Sequence, residues 1–214
     1  MKILIREDSV HIEGYVNAIE RLSKPLMSRL GQFLERICKG AFFNALKRND
    51  DVKILLNHDP TRVLGSQKQG NLELEEDSIG LRACADITDP EVIKLARQGD
   101  LVGWSFGFYD MPDGVEEGID EDTQLPVRKV REMYLEEVSI LDRTRTPAYD
   151  GTLIMARDDK TLFAGESFID EVEIEEEPKE EPIEIREDES AEPETANIDY
   201  SVYENLIKEM KEDR

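Results

Sequence analysis

Val52-Lys53-Ile54-Leu55-Leu56-Asn57-His58-Asp59-Pro60 passes from an almost unbroken apolar run straight into a polar turn. The run suits a strand, and its lack of alternation marks a strand covered on both faces. A short covered strand among alternating ones belongs in a layered α+β domain.

The flanking segments fill in that reading. Residues 2–5, KILI, and 10–16, VHIEGYV, read as strands, the second alternating loosely at Val10, Ile12 and Val16. Between residues 25 and 48 the apolar positions Leu26, Leu30, Phe33, Leu34 and Ile37 recur at three and four, which predicts helix. A break at Gly40 precedes AFFNALKRN, a second short helix. VLGSQ, NLELEED and IGLRACADI read as successive strands, with EEDSIG as the turn between the last two. TDPEVIKLARQG reads as a helix with Asp89 as N-cap, Pro90 in the first position and Gly99 at the end. LVGWSFGFYD is a strand, MPDGVEEGIDEDTQLP an acidic mobile loop, and VRKVREMYLEEVSIL a long last strand or hairpin. The expected fold is α+β: a mainly antiparallel, barrel-like sheet, a few flanking helices and a disordered acidic C-terminal tail.

Charge divides the chain more sharply than hydropathy does. The 214 residues carry a formal net charge of −23. Residues 158–214 hold 22 acidic and 6 basic side chains, so the tail supplies most of that excess. A field of this sign repels nucleic acid and anionic membrane, and neither is an expected partner. The expected organisation is a domain at 1–157, an acidic disordered linker at 158–197 and a short amphipathic helix at 198–214. The linker cannot bury enough apolar surface to offset its ordering entropy. In the last segment Ile198, Val202, Leu206, Ile207 and Met210 share one helical side. Cys38 and Cys84 match no metal or redox spacing and read as reduced thiols. No apolar run reaches bilayer length, and MKILIREDS lacks the long apolar stretch of a signal peptide. The expected protein is soluble and not secreted.

Two histidines narrow the choice of a catalytic base. His11 lies inside a strand and reads as a surface residue. His58 ends a rigid strand where the chain turns, and imidazole suits proton transfer near neutrality. With only Asp59 and Asp86 as scattered companions it makes no metal-ligand spacing, so no metal or cofactor is expected. Ser105, in Gly103-Trp104-Ser105-Phe106-Gly107-Phe108, is a candidate nucleophile. Its aromatic neighbours read as an apolar wall that excludes water, and Gly103 and Gly107 as room for a substrate backbone. The strand LEEVSI supplies an acid to orient the base. Alternation sets Glu137 on the face of Ser139 and Glu136 on the face of Val138 and Ile140.

The order LLNHDP-x-x-VLG, L-x-L-E-E-D-x-x-GL, R-x-G-x(5)-SFGF, L-x-EVS and PAY-x-x-T resembles the prohead proteases of tailed bacteriophages, a family related in fold to the herpesvirus assemblins. Lys39-Gly40-Ala41-Phe42 resembles the family's G-A-F element. The likeness covers roughly residues 10–157. It implies a serine endopeptidase that is packaged in the immature capsid in the host cytoplasm, cleaves capsid or scaffold protein, and cleaves itself. It assigns His58 as base, Ser105 as nucleophile and Glu137 as the third member, with Glu136 in reserve. The related viral enzymes use a histidine as third member; only His11 remains here, in the wrong part of the chain. Implied partners are the major capsid protein or scaffold as substrate, a portal-associated prohead, and a second copy in a homo-oligomer. The alternative is a non-enzymatic assembly scaffold or chaperone on the same fold. Between EVS and PAY the link ILDRTRT is longer than the family's.

Overall fold

The apolar run at 53–56 forms a strand enclosed on both sides. The computed structural model describes residues 1–28, 30–144, 155–157, 160–164 and 172–177. With strands numbered in chain order, β5 (Lys53–Leu56) lies between β12 (Met133–Asp142) and β6 (Val63–Ser66). That sheet has the order β13 (Met155–Arg157), β14 (Lys160–Ala164), β9 (Leu101–Asp110), β12, β5, β6. A second sheet runs β15 (Glu173–Glu176), β1 (Lys2–Ile5), β2 (Val10–Ala18), β8 (Gly80–Ile87), β7 (Leu72–Glu76). A third runs β10 (Val115–Ile119), β11 (Pro126–Val130), β4 (Gly31–Ile37), β3 (Leu26–Ser28). Pairing is mostly antiparallel; β1–β15, β4–β11 and β5–β12 are parallel.

All three sheets are open, which corrects the expected barrel-like closure. The chain changes sheet at Arg131 and Glu132. Both N–H groups bond the Gly114 carbonyl, at 2.8 and 3.1 Å, and the chain crosses there from the third sheet to the first. The segment expected as one strand or hairpin is therefore two strands, β11 and β12, in different sheets.

The core lies where the first two sheets and the helices meet. Ile3, Ile5, Val10 and Ile12 from the second sheet join Trp104, Phe106 and Phe108 from β9 in one buried cluster. Helix α1 (Ala41–Arg48) adds Phe42, edge-on to Phe106 at 5.2 Å. Such aromatic pairs add about 0.5–1.5 kcal/mol beyond the area they bury. Gly14 lets the layers approach closely: a Cβ there would lie 3.1 Å from Trp104 Nε1 and would press on the indole.

Helix α2 (Pro90–Gln98) follows its sequence signals: Asp89 accepts from the N–H groups of Glu91 and Val92, and Gly99 ends it at φ 69°. Helix α1 is capped from a distance. Its N-terminus begins after Gly40 at φ 88°, and the Glu76 carboxylate on β7 accepts from Gly40 N–H at 2.6 Å and Phe43 N–H at 2.8 Å. A carboxylate at that end also meets the positive pole of the helix.

Three further segments depart from their sequence reading. Residues 26–37 form the hairpin β3–β4 rather than a helix. The three-and-four spacing relied on Leu30, which is fully exposed at the hairpin tip, followed by Gly31 at φ 119°. The acidic loop at 111–126 contains β10, fixed across β11 by Glu116 with Lys129 and Arg131. Strands β14 and β15 fall within the span expected as linker. Residues 178–214, with the expected terminal helix, lie outside the described residues.

Glu35 on β4 is buried and faces Arg128 on β11 at 2.7 Å, while Arg128 also binds Asp110 at 2.6 Å. Burial pushes the Glu35 carboxyl from 4.5 up to about 7, against the pull of Arg128 and with help from Asp110. Between those values the folded chain holds a proton that the unfolded chain has lost, so this contribution is full at acid pH and fades as pH rises through about 7. Urea midpoints measured across that window should fall with pH, and Glu35→Gln should flatten the slope.

Candidate active site

Parallel pairing of β5 and β12 sets Leu56 beside Ile140, so the turn after β5 meets the end of β12. The turn is tight: Asp59 N–H donates to the Leu56 carbonyl at 3.0 Å, and both central residues are left-handed, Asn57 at φ 57° and His58 at φ 59°. Asparagine tolerates that region. A histidine there is uncommon, and such conformations persist where surrounding bonds impose them. Here they do. Asn57 N–H donates to the Ile140 carbonyl at 2.9 Å, Asp142 N–H to Asn57 Oδ1 at 3.0 Å, and His58 N–H to Ser139 Oγ at 3.1 Å.

This clamp sets the imidazole against a buried acid. His58 Nδ1 lies 2.7 Å from Glu137 Oε1, and the Ser139 hydroxyl donates to Glu137 Oε2 at 2.6 Å. The Glu137 and His58 side chains are only 4% and 12% exposed. An ionised carboxylate accepts only, so Nδ1 carries the proton. In the neutral ring this leaves the lone pair on Nε2, the tautomer a general base needs. Both carboxylate oxygens have donors, which offsets the cost of burying the charge.

Ser105 sits on β9 directly across from Ser139 and is 2% exposed. Gly107, its neighbour on the same face, is across from Glu137. Facing residues in an antiparallel pair project to the same side, so Ser105, Ser139 and Glu137 share one face. Glu136 is half-buried and lies at an irregularity in the β9–β12 register. The structure brings His58 and Glu137 into hydrogen bond and places Ser105 on the strand face beside them.

Two expectations about the surroundings of Ser105 are corrected. Trp104, Phe106 and Phe108 do not wall the site. They project from the other face of β9 into the core, with Phe106 stacked on Phe108 at 5.5 Å. The strand period of two separates each ring from the hydroxyl between them. Gly107 does not open room for a substrate backbone: a Cβ there would lie 2.5 Å from Glu137 Oε1. It makes room for the carboxylate.

The sequence reading used Ser139 only to mark a strand face and gave no part to Asn57 or to the space Gly107 leaves for the acid. The spacing Glu137-x-Ser139 carried a usable signal, because it puts a hydroxyl on the face of a buried acid. Asp86, weighed earlier as a companion of His58, instead binds His11 Nδ1 at 3.0 Å and Arg6 at 3.1 Å. Asp59 stays in its own turn, accepting from Thr61 N–H and hydroxyl at 2.8 and 2.7 Å. A cleft of about 510 Å³ adjoins the turn, lined by Asn57, Asp59, Arg62, Glu91 and Asp142 among others. No described helix is long and apolar enough to cross a membrane.

A family model described as caudovirus prohead serine protease matches residues 1–162, about three quarters of the chain. No curated protein and no solved structure matches the chain.

Proposed function

We propose that this chain, which belongs to the caudovirus prohead serine protease family, is a serine endopeptidase acting through Ser105, His58 and Glu137. The family implies a role in capsid maturation inside the procapsid. The observation that carries the assignment to this chain is the hydrogen bond from His58 Nδ1 to the buried Glu137 carboxylate, on the strand face that also bears Ser105.

His58 Nε2 takes the Ser105 proton as the hydroxyl oxygen attacks the scissile carbonyl. The tetrahedral intermediate collapses to an acyl-enzyme as His58 returns that proton to the leaving amine. Water, activated by the same nitrogen, then releases the acid product. Glu137 holds the ring in its working tautomer and stabilises the imidazolium formed along the way. Its substrate is the major capsid protein or scaffold, within the immature shell in the host cytoplasm, and the chain also cuts itself. Mass spectrometry of capsid protein co-expressed with this chain tests the reading. Discrete fragments that share one cut site are expected. Intact capsid protein in assembled shells would favour a scaffold without peptidase activity.

Ser139 acts on this machinery through its two partners. Ser139→Ala removes a donor from Glu137 and the acceptor of His58 N–H. Buried hydrogen bonds to charged groups are worth about 1.5–3 kcal/mol. A fall in kcat of roughly ten- to a hundredfold with little change in KM is expected from initial rates on a peptide spanning the cut site.

A further inference from the structure

Among the described tail residues, β15 meets the body away from the proposed chemistry. Strand β15 lies parallel to β1, with Lys2 opposite Glu173 and Ile5 opposite Glu176. Glu173 N–H donates to the Met1 carbonyl at 3.0 Å and Glu177 N–H to the Ile5 carbonyl at 2.9 Å. Three basic side chains of the body meet the strand: Lys2 reaches Glu175 at 3.8 Å, Arg6 reaches Glu177 at 3.3 Å and Arg97 reaches Glu176 at 3.7 Å. All four β15 residues are exposed, and only Val172 just before them packs on the core.

A strand held this way is easily exchanged. Exposed ion pairs contribute about 0–1 kcal/mol each and are screened by salt. The remaining hold is a short backbone ladder, which reads no side chains and pairs with any extended segment. Selectivity comes from charge and from alternation. The tail repeats the pattern: Val172-Glu173-Ile174-Glu175 is followed by Ile183-Glu184-Ile185. Without β15, the outer edge of β1 is the kind of open strand that proteins cover or use for strand addition.

We propose that the β1 edge, with Lys2, Arg6 and Arg97, is a docking site for an acidic extended peptide, filled in cis by residues 172–177 and open to a segment of the same chemistry on a partner protein. The site is independent of the peptidase reading, because none of its residues belongs to the His58 constellation.

The probe is a fluorescent peptide with the sequence of residues 171–178, titrated against the full chain and against full-length Glu175→Pro. Proline at 175, midway between the donors Glu173 and Glu177, unlatches the cis strand. The variant should bind the peptide about tenfold or more tightly than the intact chain, whose site is mostly filled. Binding should weaken as salt rises, and Arg6→Glu with Arg97→Glu on the Glu175→Pro background should abolish it. In labelled protein the amides of Ile3 and Ile5 should shift on titration. A concentration-dependent dimer of the intact chain, lost in Glu175→Pro, would identify the partner as a second copy. No binding to a Glu175→Pro chain that keeps its wild-type circular dichroism, or equal binding of a peptide with lysine at every glutamate, would overturn the proposal.

Discussion

Ser105→Ala is expected to leave co-expressed capsid protein uncut while the domain folds normally. The hydroxyl is buried beside Ser139 on a strand whose other face carries the aromatic core, so its loss leaves the packing of Trp104, Phe106 and Phe108 untouched. Removing the nucleophile from a unit of this kind costs on the order of a millionfold in turnover. His58→Ala should cost nearly as much, because the attack needs the serine and its base together. The double variant should be no worse than either single one, since each already disables the same step. Turnover of a peptide spanning the cut site, with thermal melting as the folding control, provides the measurement. Wild-type processing by Ser105→Ala would place the nucleophile elsewhere. Additive losses in the double variant would mean that the two residues do not act as a pair.

How much of this was legible in the sequence depends on the range of the interaction. Helix α2 was readable because its signals are local: Asp89, Pro90 and Gly99 each act within a turn of their own position. The covered strand β5 was readable because burial on both faces suppresses alternation. The choice between Glu137 and Glu136 was not settled by period: Glu137 came from the resemblance with Glu136 in reserve, and the irregularity between Leu135 and Glu137 that breaks simple alternation is set by the pairing with β9. Hairpin β3–β4 was misread because one exposed leucine completed a helical spacing by chance. Helix α1 shows the other limit. Its cap, Glu76, lies 36 residues away from Gly40 and no local pattern announces it. The aromatic rings around Ser105 were assigned by adjacency in the chain, whereas a strand puts neighbours on opposite faces. The clamp on His58 was hidden for the same reason as the distant cap, since it depends on the parallel register of β5 with β12.

Glu137→Gln and Gly107→Ala are expected to damage the same contact by different routes. Glutamine keeps the size of the acid but loses its charge and presents an amide that no longer enforces a proton on Nδ1. In a serine, histidine and acid arrangement this substitution costs about 10⁴ in kcat. Gly107→Ala leaves the acid in place chemically and moves it physically. The glycine is not left-handed, so alanine suits its backbone, and the added Cβ meets Glu137 Oε1 at 2.5 Å. The carboxylate must swing off His58, and displacements near 1 Å at a catalytic contact cost about 10². Pairing Gly107→Ala with Glu137→Asp shortens the acid by one methylene and should recover part of that loss, although Glu137→Asp alone is impaired. Glu136→Gln should leave turnover within about twofold of wild type, because His58 Nδ1 and the Ser139 hydroxyl both bond Glu137. The four variants at Glu137 and Gly107 differ only at the acid and the surface under it, so their kcat values with one peptide separate charge from position, and Glu136→Gln serves as the control. Full activity in Gly107→Ala would show that the contact between Glu137 and His58 does not limit turnover. Loss in Glu136→Gln alone would move the orienting role to that residue.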